Sequence, residues 1–276
     1  MPELPEVEAT RRHLAPVLEG ATIVAVEVRR PRMARRQPRP ADIPDRMVGR
    51  RIRRVGRHGK FLLTGLEGDL TWVLHLGMSG RVSLARPGEP EPPHTNVVVV
   101  LGSGVEVRLV DPRTFGFVAV YTPEEFDHSP PAGLGPDALD DLPRAPELAR
   151  RMAARAVPVK PLLLDQRFLA GLGNIYADEV LWRSRIAPVR PAGSLSREEV
   201  AALRRAIRPT LEAGLRSGGT SLDDLAYLLP DGRAGEHLFR LRAYGRDGLP
   251  CRRCRTPIRR EVLRQRSTFF CPRCQG

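Results

Sequence analysis

The chain has 276 residues and a mass of 30.7 kDa, with 41% hydrophobic and 28% charged residues; this is enough for one large domain or two modest ones and excludes a peptide hormone or a disulfide knot. No apolar run approaches the roughly 18 residues of a membrane-spanning helix. The net charge of +13 is concentrated, residues 29–60 carrying thirteen basic side chains against Asp42 and Asp45, and residues 251–276 eight arginines against Glu261. Such clustering points to a polyanion partner, because each neutralised phosphate releases condensed counterions; a solvated basic surface is the alternative.

The start, Met1-Pro2-Glu3-Leu4-Pro5-Glu6, is acidic and proline-broken, where a secretory signal is basic and then apolar, so a cytoplasmic location is expected. If Met1 is removed, Pro2 exposes a secondary amine beside Glu3. An α-amine titrates near 8, against about 10.4 for lysine, so roughly a tenth of it is neutral at pH 7. It can attack a sugar C1′ and form a Schiff base, with Glu3 in reach to move protons. An ordinary proline-rich start accounts for the same residues.

Val7, Leu14 and Leu18 stand at helical spacing and predict a short helix over 6–18. Strand-like runs follow at 21–28, 60–66, 70–76, 96–101 and 105–121, with turn signals at Glu67-Gly68-Asp69 and Gly102-Ser103-Gly104. An antiparallel sandwich or barrel with a flanking helix is expected. Residues 129–146, rich in Pro, Gly and Asp, read as a linker; 147–215 are helical in pattern, and 214–248 are punctuated by glycine. Within the helical part, 162–179 read as helix, tight turn, helix. Gly171 and Gly173 are not a dinucleotide fingerprint, since position 176 is tyrosine and no strand precedes. Asn174 is expected to cap the second helix, where exposed amides can meet a phosphate; a plain capped helix pair fits equally.

All four cysteines lie at the end, as Cys251-x2-Cys254 and Cys271-x2-Cys274. This is the spacing of a four-thiolate zinc site, structural because no position is left for water; a pair of disulfides is the alternative. Arg255, Arg259, Arg260, Arg264 and Arg266 occupy the intervening hairpin, making it a basic finger. Lys60 and Lys160 are the two lysines. They become candidates for roles that a guanidinium cannot fill, as a point-charge phosphate ligand or a titratable amine.

Six segments in order, Pro2-Glu3-Leu4-Pro5-Glu6-Val7-Glu8, His75-Leu76-Gly77-Met78-Ser79-Gly80, Asp111-Pro112-Arg113-Thr114-Phe115-Gly116, residues 171–179, Tyr244-Gly245-Arg246 and the four-cysteine finger, resemble bacterial formamidopyrimidine-DNA glycosylases over nearly the whole chain. The resemblance implies an α+β protein: an N-terminal antiparallel β-sandwich with a flanking helix (1–130), a linker (131–146), a helix-two-turn-helix domain with a lesion-covering loop (147–249) and a zinc-finger hairpin (250–276). It implies a base-excision repair enzyme that removes oxidised purines and cleaves the abasic site by β,δ-elimination. Pro2 is then the nucleophile and Glu3 the general acid/base. Glu6 supports that site, and Lys60 holds a phosphate beside the lesion. The residues matching Lys60 and Arg266 also assist elimination. His75, His94, Asn174, Tyr244 and Arg266 fall at DNA-contacting positions, and Lys160 matches a lysine associated with lesion recognition. Met78, Arg113 and Phe115 fill the gap left by the flipped nucleotide, Arg113 reading the opposite cytosine, although without the motif Met78 and Phe115 read as core residues.

The implied partners are one structural zinc ion and double-stranded DNA carrying oxidised purines or abasic sites, with no membrane and a monomeric state. Thr114 departs from the arginine or lysine of many relatives, and residues 218–241, which in the family fold over the everted base, match loosely after Gly218-Gly219-Thr220. An endonuclease VIII-like glycosylase for oxidised pyrimidines usually has glycine where Leu4 stands and lacks the Met, Arg, Phe trio. A non-catalytic zinc-ribbon DNA-binding protein has no need of Pro2 with Glu3 behind it.

Overall fold

The computed structural model describes residues 2–221 and 227–276. They fall into two compact units, Met1–Gly133 with Ser217–Glu236, and Leu134–Arg216 with His237–Gly276.

The first unit opens with helix α1 (Leu4–Leu18), two residues ahead of the expected start. Pro5 is tolerated in a first turn, where its missing N–H has no helical partner. Glu3 and Glu6 close a capping box, with Glu6 Oε2 accepting from the Glu3 N–H at 2.8 Å. Eight strands follow: β1 (Ile23–Val28), β2 (Ile52–His58), β3 (Phe61–Leu66), β4 (Thr71–His75), β5 (Arg81–Ala85), β6 (Thr95–Leu101), β7 (Glu106–Val110) and β8 (Phe117–Tyr121). The short helices α2 (Asp42–Met47) and α3 (Pro123–Asp127) accompany them. The strands form two antiparallel sheets, ordered β1-β6-β7-β5 and β2-β3-β4-β8.

Ile23, Val97, Val99 and Leu109 of the first sheet meet Val55, Leu62, Trp72 and Val118 of the second in one core, which α1 joins through Val7, Leu14 and Leu18. The second sheet is covered on its other face as well, where Val73, Phe117, Ala119 and Tyr121 cluster. Burial on both faces accounts for the uninterrupted apolar sequence of β8, Phe117–Tyr121.

The expected 105–121 strand is two strands, because β7 pairs in the first sheet and β8 in the second. Strands β2 and β5 have no counterpart among the expected runs. In β2 the register shifts between Ile52 and Arg54, so the inward-facing Ile52 and Val55 stand three apart and the period-two signal is lost. The basic stretch 29–60 is not one free cationic face. Arg57, buried, pairs with Glu8 at 3.2 Å; Arg46 pairs with Glu125 and Asp42; Arg53 pairs with Asp69 at 3.0 Å. Glu8 is held near pH 2: burial opposes its charge, but Arg11, Arg12 and Arg57 outweigh that cost.

The second unit holds α4 (Ala145–Met152), α5 (Val159–Leu164), α6 (Asn174–Ser184) and α7 (Arg197–Arg216), followed by strands β9 (Arg259–Leu263) and β10 (Arg266–Phe270). Between α5 and α6, Gln166 staples two tight turns: its Nε2 donates to the Leu164 and Leu172 carbonyls and its Oε1 accepts from the Gly171 N–H. The β9–β10 hairpin closes on Arg264 and Gln265, both left-handed, at φ 46° and 63°. Two left-handed residues give the turn whose twist matches that of the strands. Among the described residues no helix is long and apolar enough to cross a membrane.

Candidate functional site

One end of the β2-β3-β4-β8 sheet gathers most of the residues singled out in the first unit. Lys60, nearly buried, lies in the two-residue β2–β3 turn, and His75 ends β4 directly opposite Phe61 on one side and Phe117 on the other. The three rings pack together, His75 lying 4.7 Å from Phe61 and 5.7 Å from Phe117. Residues 76–80 leave β4 carrying Met78, and residues 111–116 enter β8 carrying Arg113 and Phe115. The two loops touch through backbone: Gly77 is left-handed at φ 64°, and a Cβ there would lie 2.4 Å from the Gly116 nitrogen.

Asp111, fully buried, organises both loops. Its Oδ1 accepts from the Ser79 hydroxyl at 2.6 Å and the Arg113 N–H at 3.2 Å, and its Oδ2 accepts from the Gly116 N–H at 2.7 Å. Arg35 clamps the second loop from outside, donating to the Phe115 carbonyl at 2.7 Å. Motif reading assigns neither residue a role, although an aspartate opening a turn is a signal for such a bond pattern. Met78 is half-buried, whereas Arg113 and Phe115 are exposed with the guanidinium 4.7 Å over the ring. Phe115 is a surface residue and not core. Thr114 sits between them at φ 52°, a costly conformation for a β-branched residue. His94 is exposed at φ 65° and lines a cavity of about 440 Å³ with Arg32, Asn96 and Asp111.

Burial, with Lys60 and Arg35 nearby, lowers the pKa of His75 to about 4. Its ring is neutral at pH 7, and since Nδ1 accepts from the Gly77 N–H at 3.1 Å, the proton resides on Nε2, leaving a donor. Between pH 6.5 and 4 the unfolded imidazole binds a proton that the folded one refuses. His75 should therefore cost the first unit up to about 3 kcal/mol as pH falls through that window, with no further loss below it. Denaturant unfolding at pH 7 and 4.5 should show wild type losing more stability than His75→Phe; equal losses would remove this reading.

Pro2 and Glu3 are buried at the start of α1. Glu6 joins them to the returning segment Ser217–Glu236: while Oε2 holds the Glu3 N–H, Oε1 accepts from the Thr220 N–H at 2.7 Å. Gly219 is left-handed at φ 88°, and a Cβ there would meet Glu6 Cγ at 2.9 Å. The Tyr227 hydroxyl bonds the Glu6 and Gly218 carbonyls at 3.2 Å each. By its contacts 217–236 belongs with the first unit. Residues 222–226 of the expected lesion-covering loop, and Met1, lie outside the described residues.

In the second unit, Asn174 is the first residue of α6 and not its cap, because Gly173 takes the extended capping conformation. The Asn174 side chain instead donates to the Ser267 carbonyl at 3.0 Å, leaving its buried Oδ1 without a partner. Lys160 is buried at 1% exposure, ion-paired to Asp178 at 2.7 Å and bonded to the Ser267 carbonyl and the Thr268 hydroxyl. Asp178 also accepts from the Phe269 N–H at 3.0 Å, and burial pushes its pKa up to about 7. This ammonium is spent on holding β10 to α5 and α6 and not on reaching a ligand. Arg266, the first residue of β10, is exposed, and its side chain makes no hydrogen bond or ion pair among the described residues. Tyr244 packs edge-on against Phe269 with ring centroids 5.1 Å apart, and Glu179 fixes the backbone before it by accepting from the Arg242, Ala243 and Tyr244 N–H groups.

The four cysteine sulfurs all lie within 4.8 Å of one another. Cys254 and Cys271 are 3.4 Å apart, far beyond a disulfide bond, and all four are free thiols. Tetrahedral zinc with sulfur at about 2.3 Å puts sulfurs about 3.8 Å apart, which this cluster fits. The Trp182 Nε1–H and the Arg253 N–H each donate to Cys251 at 3.4 Å, the outer contacts that support thiolate ligands.

Family models match in three places: the Formamidopyrimidine-DNA glycosylase N-terminal domain over residues 1–118, the Formamidopyrimidine-DNA glycosylase H2TH domain over 134–225, and the zinc finger found in FPG and IleRS over 248–276. The formamidopyrimidine-DNA glycosylase of Heliobacterium modesticaldum is 47% identical over 279 residues, covering all of both chains. The crystal structure of the MutM (FPG) protein of Thermus thermophilus superposes with a TM-score of 0.89 at 43% identity, covering 100% of this chain and 99% of that one. A Lactococcus lactis FPG mutant in complex with Fapy-dG-containing DNA gives a TM-score of 0.91 at 29% identity, covering both chains fully.

Proposed function

From the premise that this chain belongs to the formamidopyrimidine-DNA glycosylase family, we propose how its own residues carry the family's reaction. The protein is a base-excision DNA glycosylase with abasic-site lyase activity, acting on oxidised-base DNA and holding one structural zinc on Cys251, Cys254, Cys271 and Cys274. Oxidised purines, 8-oxoguanine and formamidopyrimidines, are its substrates. With Met1 removed, the Pro2 nitrogen attacks C1′, the base leaves and an iminium forms; Glu3 moves the protons at the deoxyribose. β-Elimination then expels the 3′ phosphate and δ-elimination the 5′ phosphate, with Lys60 and Arg266 assisting at the charged oxygens.

The observation that carries this reading is the pinned start of α1, where Glu3 is 1% exposed and its backbone is held by Glu6. A DNA-binding zinc ribbon without catalysis has no use for that arrangement. Met78, Arg113 and Phe115 serve as the wedge, Arg113 reading the opposite base; His75, His94, Asn174 and Tyr244 contact the DNA strand. Lys160 supports recognition as a positioning residue, through β10. Functionally the chain divides into a catalytic sandwich (1–130), a linker (131–146), the helix-two-turn-helix domain with its covering loop (147–249), of which 217–236 packs with the sandwich unit, and the finger (250–276). The protein works as a monomer in the cytoplasm, on nucleoid DNA.

The test is excision from duplexes that carry 8-oxoguanine or thymine glycol, with the opposite base varied. Faster release of thymine glycol would favour the oxidised-pyrimidine class. A base contact in the vacated stack gives about 1 to 3 kcal/mol of discrimination, so Arg113→Ala should narrow the preference for cytosine over adenine opposite the lesion by roughly ten-fold. Lys60→Gln and Arg266→Gln should weaken binding to all duplexes alike and lower the salt slope by about one. If Arg266→Gln changed the cytosine-to-adenine ratio while Arg113→Ala did not, the two arginine assignments would be reversed.

A further inference from the structure

The last two turns of α6, the end of α7 and the segment leading into the finger surround a cavity of about 440 Å³, all within the second unit. Its wall holds Arg183, Arg240, Arg242 and Arg253. The side chains of Arg183, Arg240 and Arg242 make no hydrogen bond or ion pair among the described residues. Arg253 is stacked 4.2 Å over the Trp182 ring and spends one N–H on the Trp182 carbonyl at 3.2 Å. This differs from Arg46, Arg53 and Arg57, which are consumed by carboxylates. Among the described residues lining the cavity Glu179 is the one carboxylate; its oxygens are taken by backbone N–H groups and it forms no ion pair with the guanidiniums, acting on Arg242 only through space.

A second observation concerns His237. It is 4% exposed, lies parallel to Tyr176 with ring centroids 5.8 Å apart, and its buried Nδ1 has no hydrogen-bond partner among the described residues. Burial, reinforced by Arg240, Arg216 and Arg242, lowers its pKa to about 4, so the ring is neutral near pH 7. The neutral ring adds no charge of its own to the guanidiniums, and because it lines the cavity beside Arg240 and Arg242 it reports on what enters there.

We propose that this cavity is a phosphate-binding site, with Arg183, Arg240 and Arg242 as its charged ligands and His237 lining it beside them. Guanidinium forks match the oxygen spacing of a phosphate, and the Arg253-capped Trp182 ring supplies a flat wall beside them. Asn174, the residue of α6 assigned to DNA, is in the first turn of that helix; Trp182 and Arg183, eight and nine residues on, are displaced by about 12 Å along its axis. The site is therefore additional to that contact. The phosphate comes either from a DNA phosphodiester beyond the lesion footprint or from a free anion such as a nucleotide or inorganic phosphate.

The experiment uses the zinc-loaded full-length protein and the variant R240Q/R242Q, whose exposed side chains make no hydrogen bond or ion pair among the described residues. Inorganic phosphate is titrated against chloride at constant ionic strength while the His237 ring nitrogens are followed by NMR. A saturable shift confined to phosphate is expected, and the variant should weaken it by roughly ten-fold or more. In a second arm, binding to an undamaged duplex is measured across salt concentrations. A salt slope reduced by about two in the variant identifies the DNA backbone as the source; an unchanged slope with the phosphate shift present identifies a free anion. The proposal is overturned if phosphate moves His237 no more than chloride does and the two proteins share one salt slope. It is likewise overturned if the phosphate shift is the same in both proteins and their slopes agree. Excision of 8-oxoguanine by the variant, measured alongside, keeps failure of this site separate from failure of the glycosylase reading.

Discussion

Glu3→Gln is expected to slow release of an oxidised purine by about 10² to 10⁴-fold, the usual contribution of a positioned general acid/base, with binding to the lesion duplex changed far less. Glu3 is 1% exposed and anchored at the capping box by Glu6, so the amide can occupy the same place without disturbing α1. Borohydride reduces an iminium to a stable amine, and wild-type enzyme mixed with lesion DNA should therefore be trapped covalently through Pro2. Pro2→Gly should trap less efficiently. Peptide mapping decides the matter: an adduct on Lys60 or Lys160 would make the N-terminal mechanism wrong. Glu6→Gln is informative beside these, since it keeps the shape but weakens the acceptors that hold both the Glu3 and the Thr220 N–H groups.

Removal of zinc should have the second large effect. Thiolate coordination of structural zinc contributes apparent folding free energies of about 10 to 16 kcal/mol, more than a hairpin of two five-residue strands can replace. Chelation should unfold the finger while the sandwich of the first unit survives. The damage should spread into α5 and α6, because β10 supplies the Ser267 carbonyl, the Thr268 hydroxyl and the Phe269 N–H to Lys160, Asn174 and Asp178. Without β10, a buried ion pair loses its surrounding hydrogen bonds, a costly state. Binding to all duplexes should fall together, and elemental analysis of freshly purified protein should return one zinc per chain. Absence of stoichiometric zinc would remove the claim; retained binding after complete chelation would detach the finger from DNA recognition.

What the amino-acid sequence determined by itself is chemistry that depends on short spacing. Two pairs of cysteines at x2 intervals read directly as a metal cluster, and the structure brings their sulfurs within 4.8 Å. The strands of the first unit that alternate or run apolar without interruption, such as 60–66 and 70–76, stand as β3 and β4. The segments around Pro2, His75 and Arg113 carry the family resemblance without any knowledge of the fold. The limits are equally local. A bulge hides β2, and the strand-like run 105–121 conceals a crossing between sheets.

Only the tertiary structure decided which charges are free. Arg57 and Arg46 look no different from Arg266 or Arg113 in sequence, yet the first two end on Glu8 and Glu125, partners that lie 49 and 79 residues away. Lys160, conspicuous for its rarity, is buried against Asp178, and Asp111, given no role from the sequence, holds two loops together. The physical reason is common to all four. Periodicity and motif spacing act over a few residues along the chain, whereas an ion pair or a buried hydrogen-bond hub is chosen by which surfaces meet after the sheets have packed.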